Sequence, residues 1–203
     1  MLPALAAAHP HVWISMKSQV LYDANGAVIG VRHAWTFDDM FSTFAVQGLK
    51  SAKPGVFTPE DLQPLAEVNV TSLQEYAYFS YAKADGKKLS FANPIDYHLE
   101  QRPDQLLTLH FTLPLKQPIK ATTLDLEVYD PSYFVDFSFD EKGRDVVVLK
   151  DAPANCAASI KSLNEGQKPP EVPLGDPRLE VPNPEDWGKS WGAQFANQIL
   201  VKC

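Results

Sequence analysis

Long apolar runs are missing from this sequence, and none approaches the roughly 18 to 20 residues a helix needs to cross a bilayer, so no direct membrane insertion is expected. Basic charge is also short. Lys and Arg number 18 against 25 Asp and Glu, a formal net charge of −7, which works against nucleic acid or an anionic membrane as a partner and suits cations better. Cysteine occurs only as Cys156 and Cys203, neither in the CxxC spacing of a redox or zinc motif. The chain has no GxSxG elbow, no Gly-rich phosphate loop and no HExxH. Nothing therefore marks a catalytic residue, and the expectation is a protein that is not an enzyme.

What is present is ordinary for a globular chain: 45% hydrophobic and 21% charged residues over 203 positions, enough for one good core or two small ones. The start, "MLPALAAAHPHVWI", has the small-residue end of a secretory leader and an A-x-A site at Ala6-Ala7-Ala8, though no basic n-region. Residues 1–8 read as residual signal peptide cleaved after Ala8. A lone cysteine pair closing a long loop onto the last residue is the pattern of a structural disulfide in an oxidising compartment. Leader and disulfide together predict a periplasmic location.

Residues 9–166 read as a β-rich body. Asn25-Gly26 and Asp85-Gly86 are hairpin turns, the first predicted as a type I′ turn with both residues at positive φ. Further strands are predicted at "IDYHLEQR", "LLTLHFTLPL", "ATTLDLEVYD", "SYFVDFSFD" and "DVVVLK". One helix is inserted near 59–76, with Thr58 as N-cap, Pro59 in its first turn and apolar residues at helical spacing. The proline-rich stretch 167–186 reads as an extended linker. After it, Trp187, Trp191, Phe195 and Ile199 recur at steps of four, which predicts a C-terminal helix over 187–203 docked on the body. The fold class expected is mainly β (α+β), an antiparallel β-sandwich-like body with these two helices.

The histidines carry the candidate chemistry. Cleavage after Ala8 would leave His9 with a free α-amine beside its imidazole, and His11, two residues along an extended chain, points the same way. Pro10 lacks an amide proton, so a chelate that deprotonates the intervening amides cannot form. Further ligands must come from elsewhere. Counting across the Asn25-Gly26 hairpin sets His33 opposite Ser18, away from His11, and Asp38 opposite Trp13, beside it. His98 is flanked on its strand face by Asp96 and Glu100. Asp130, before Pro131, is a turn former that could also serve. The metal-ligand set expected is His9, His11, Asp38, His98 and Asp130, with His110 a further candidate.

The segments "AHPHVWI", "WTFDDMFS", "TPEDL…LAEVNVTSLQEYAYFSYAKADGKKL", "VYDPSYFVDF" and "FANQILVKC" together resemble a periplasmic family of unknown function, numbered 1007 and often labelled an ABC-type uncharacterised transport-system periplasmic component. The resemblance implies export and, because genes of this family often neighbour nickel/cobalt-type transporters, handling of a divalent metal. It places the family's histidine motif on His9, His11 and Trp13, its aspartate corner on Asp38, and its Asp-Pro turn on Asp130 and Pro131. The function expected is a periplasmic metal-binding accessory protein that holds Ni, Co or Zn at an N-terminal His9-x-His11 site for a membrane metal transporter. Two alternatives stand beside it: a copper-binding histidine-brace redox protein, and a metal-free β-sandwich that binds a partner protein.

Overall fold

A computed structural model describes residues 10–140, 145–162 and 188–203. Two sheets form the body. The first contains β1 (Val12–Tyr22), β2 (Val28–Phe37), β5 (Ile95–Gln101), β6 (Leu107–Ile119), β8 (Val135–Phe139) and β9 (Val147–Lys150). Its order is β5-β6-β2-β1, with β8 and β9 sharing the far edge of β1. The second contains β3 (Ser80–Ala84), β4 (Lys87–Lys88), β7 (Thr123–Val128), β10 (Ala157–Ser162) and β11 (Asn197–Lys202), in the order β10-β11-β7-β3-β4. Both sheets are antiparallel apart from β8 and β9, which run parallel to β1. The mainly β, sandwich-like class expected from the sequence is the one found.

Alternation explains the packing. On β1, Val12, Ile14, Met16, Val20 and Tyr22 turn inward at every second position, and on β6 Leu107, Leu109, Phe111 and Leu113 do the same. They meet Leu124, Leu126, Val128, Ile199 and Val201 of the second sheet in one core around Trp35, whose ring makes edge contacts with Phe111 and Phe137. A polar pin crosses this core. His33 on β2 is fully buried, with Nδ1 2.9 Å from Ser18 Oγ on β1 and Nε2 3.2 Å from Ser80 Oγ on β3.

The inserted helix is α2 (Pro59–Leu73), begun by a capping box between Thr58 and Asp61, and it buries Leu62, Ala66 and Val70. It ends at Leu73 rather than Tyr76, because Gln74–Phe79 continue as a 3₁₀ segment with Ala77, Tyr78 and Phe79 at φ 50°, 56° and 48°. A short helix that the sequence pattern does not flag, α1 (Asp39–Ala45), follows β2. At seven residues it offers too little periodicity to read.

The two hairpins differ. Asp85 and Gly86 both take positive φ in a two-residue loop, as a type I′ turn requires. At the first hairpin only Gly26 does, so the expected type I′ turn is corrected. The Asp23 carboxylate accepts the amides of Asn25 and Ala27 and holds a longer loop, leaving Asn25 no need of the left-handed region.

The expected C-terminal helix is the larger correction. Trp187 and the 167–186 segment lie outside the described residues, but Gly192–Phe195 form one 3₁₀ turn and Asn197–Lys202 form β11, between β10 and β7. Every fourth position suited a helix; every second one, Ile199 and Val201, decided the structure by filling the core. Gly192 leaves no room for a side chain: a Cβ on it would run into the Asp130 carbonyl oxygen, and its amide donates to Pro131 O. Cys156 and Cys203, one step beyond the Ala157–Lys202 pair, form a disulfide.

Candidate functional site

The outward face of the first sheet is polar, and its register places each candidate ligand. Lys17 pairs with Ala34, Ala34 with His110 and His110 with His98, so the two histidines sit side by side at the β5 edge. Their rings stack at 4.6 Å between centroids and 8° between planes. Glu100, diagonal to His110, brings Oε2 to 3.1 Å from His110 Nε2. Burial first, then the adjacent His98, hold the His110 pKa below its ordinary value, against the raising pull of Glu100. At neutral pH His110 is therefore an uncharged imidazole able to offer a nitrogen lone pair. One strand further, Arg32 Nε donates to Thr112 Oγ1 and its guanidinium reaches within 3.9 Å of Asp96.

His11 belongs to the other end of this sheet. Its amide donates to Phe134 O, and its ring lies 4.9 Å from the Phe134 ring. Trp13 pairs with Asp136 on β8 and donates its amide to Asp38 Oδ2 on the opposite side, so Asp38 and Asp136 flank the start of β1. Burial pushes the Asp136 carboxyl up to about 6. Asp38 is also the N-cap of α1, its Oδ1 accepting from Phe41 N at 2.8 Å. His9 lies outside the described residues.

Asp130 is spoken for by its turn. It is buried; Oδ1 accepts from Ser132 N and Oγ, both at 2.8 Å, and Oδ2 accepts from Val135 N at 2.9 Å. Burial raises its carboxyl pKa, with these hydrogen bonds opposing. That is an Asx turn at Asp130-Pro131 fixing the entry to β8.

The ligand set read from the sequence thus divides. His98 is separated from β1 by β6 and β2, about 14 Å at ~4.8 Å per strand, and His11 lies a further six residues along β1, about 20 Å. One ion cannot join them. Donor type fits a metal at the β5 edge, with two imidazoles and a carboxylate, a set borderline divalent ions accept. Among the described residues no three His, Cys, Asp or Glu side chains converge in ion-holding geometry, so Glu100 would have to swing off His110 to complete the set. Its side chain is 54% exposed, and such a rotation costs about 1 kcal/mol or less. The Arg102-Pro103-Asp104 turn expected from the sequence would set His98 opposite Thr108; the loop actually closes between Arg102 and Leu106, and that shift brings His98 opposite His110.

A β-rich α+β sandwich with a disulfide, and with no described helix long and apolar enough to cross a membrane, is the class this structure defines. Within it the chain belongs to the family described as protein of unknown function DUF1007, which matches residues 1–203. It is similar to an uncharacterised protein of Haemophilus influenzae, 26% identical over 200 residues that cover 97% of this chain and 91% of the relative.

Proposed function

We propose that this protein is an exported, periplasmic accessory protein that holds a divalent transition metal, Ni²⁺, Co²⁺ or Zn²⁺, for a membrane transporter. The observation that carries this reading is the stacked His98–His110 pair with Glu100 against it, the place among the described residues where two imidazoles meet on an accessible strand edge. The His9-x-His11 motif, which precedes β1 in the sequence, is the second, separate histidine centre of this reading. The disulfide supports an oxidising compartment, and the acidic balance of the chain favours cations. Imidazole nitrogen suits all three ions, and the copper it would also bind belongs to the same ligand chemistry.

Calorimetric titration of Zn²⁺, Ni²⁺ and Co²⁺ into the exported protein, a His98→Ala/His110→Ala variant and a His9→Ala/His11→Ala variant tests it. Loss of both imidazoles at the β5 edge is expected to remove one binding event or to weaken it by about tenfold to a hundredfold. Equal isotherms for all three proteins would sink the proposal. Because protons compete for the imidazoles, binding is expected to weaken from pH 7 to pH 5.

A further inference from the structure

At the β3–β4 end of the second sheet lies a cavity of about 660 Å³, within the usual range for small-molecule sites. Tyr81 pairs with Glu127, and Lys83 stands two residues from Tyr81, so all three project from the outer face of the sheet into one wall. The opposite side is the chain from Leu89 to Asn93, fastened to the end of β6 where Lys116 N donates to Ser90 O and Ala92 N to Pro114 O.

The charge of the lining runs against that of the molecule. Among the described residues, the lining holds four lysines, Lys83, Lys88, Lys116 and Lys189, and one carboxylate, Glu127, in a chain whose net charge is −7. Desolvation raises the Glu127 pKa, with Lys83 opposing. Leu89 and Phe91, half-buried, supply apolar surface to the lining, backed by the buried Tyr81 and Tyr129, whose rings lie 4.5 Å apart and 41° from parallel.

The backbone adds an independent observation. Ala77, Tyr78 and Phe79 are three successive non-glycine residues in the left-handed region, at a cost of about 1–2 kcal/mol each. Ser80 Oγ to Tyr78 O, Tyr81 Oη to Tyr76 O and Tyr129 N to Phe79 O hold them there. The strained turn places Ala77 and Tyr78 in the cavity wall. Strain of this kind persists where surrounding structure over-determines it, and it collects at binding sites.

We propose that this cavity binds a small organic anion, with two or more carboxylate or phosphate groups meeting Lys83 and Lys116 and an apolar body against Leu89 and Phe91. Lysine acts as a point charge and accepts either acid group, unlike the geometric fork of arginine. The site is on the second sheet, away from the His98–His110 edge of the first, and stands or falls apart from the metal reading.

The dye anilinonaphthalene sulfonate, itself a flat apolar anion, is the probe. One saturable site per chain is expected by fluorescence, displaced by citrate if carboxylates are favoured and by pyrophosphate if phosphates are. Lys83→Glu/Lys116→Glu is expected to weaken dye binding by about tenfold or more, with circular dichroism and melting temperature retained. Should the double variant not fold, the single exchange Lys116→Gln at an exposed position is expected to weaken it about threefold. Unchanged dye affinity in the folded variants, or a dye that neither anion displaces, would overturn the proposal.

Discussion

His33 shows what one residue can impose. Its imidazole is shut between the two sheets with a serine hydroxyl at each nitrogen, and burial away from water favours the neutral ring over the charged one. Burial lowers its pKa from 6.5 to about 3. The sign follows: the unfolded chain takes up a proton that the folded one refuses, so stability is full above about pH 6.5 and is lost as pH falls towards 3, by up to about 1.4 kcal/mol per pH unit. Urea denaturation at pH 7 and pH 5 should show the native protein losing about 2 kcal/mol more than His33→Gln, which is less stable at pH 7 but carries no buried imidazole. An equal loss in both would place the acid sensitivity elsewhere. The sequence count across the first hairpin had already set His33 opposite Ser18, but Ser80 belongs to the other sheet, and only tertiary packing brings it within 3.2 Å.

At the scale of elements, α2 was the most legible, because Thr58, Pro59 and Asp61 announce its start through local hydrogen bonds that need no partner strand. Its far end was not, since "QEYAYF" looks like strand-forming text yet bends through three left-handed residues. A consequence is measurable. Ala77→Gly removes a Cβ from a position at φ 50° and is expected to stabilise the protein by about 0.5–1 kcal/mol, against the destabilisation glycine brings elsewhere. A loss of stability in thermal melts would show that the turn is not strained at Ala77. The C-terminal stripe misled for a related reason: "FANQILVK" satisfies both a period of four and a period of two, and the open position between β7 and β10 selected the strand.

For the whole molecule, the disulfide is the closure that matters. Cys156 and Cys203 lie 47 residues apart in sequence but adjoin across the β10–β11 ladder, so the bond secures β10, an edge strand, to the central β11. By the chain-entropy argument, a loop of this length makes the bond worth up to about 4 kcal/mol. Cys156→Ala/Cys203→Ala should therefore lower the urea midpoint markedly, while metal titration at the His98–His110 edge, on the other sheet, stays unchanged. Coupled loss of both would mean that the two sheets do not keep separate sites.

Alternating apolar positions, the places of the hairpin turns, the Thr58 cap and the cysteine pair were settled by the sequence alone, since each acts over short chain distances or through residue chemistry. The sequence likewise set out every histidine and aspartate that could meet a metal. Which of them share a place was a tertiary decision. Strand order put β6 and β2 between His98 and β1, enclosed His33 in the core, gave the Asp130 carboxylate to its own turn, and set His98 against His110. The same packing gathered lysines from β3, β4, the end of β6 and the C-terminal segment around one cavity. Periodicity in a chain reports which face a residue occupies; it does not report which distant strand will lie beside it, because that depends on the burial of the whole core at once.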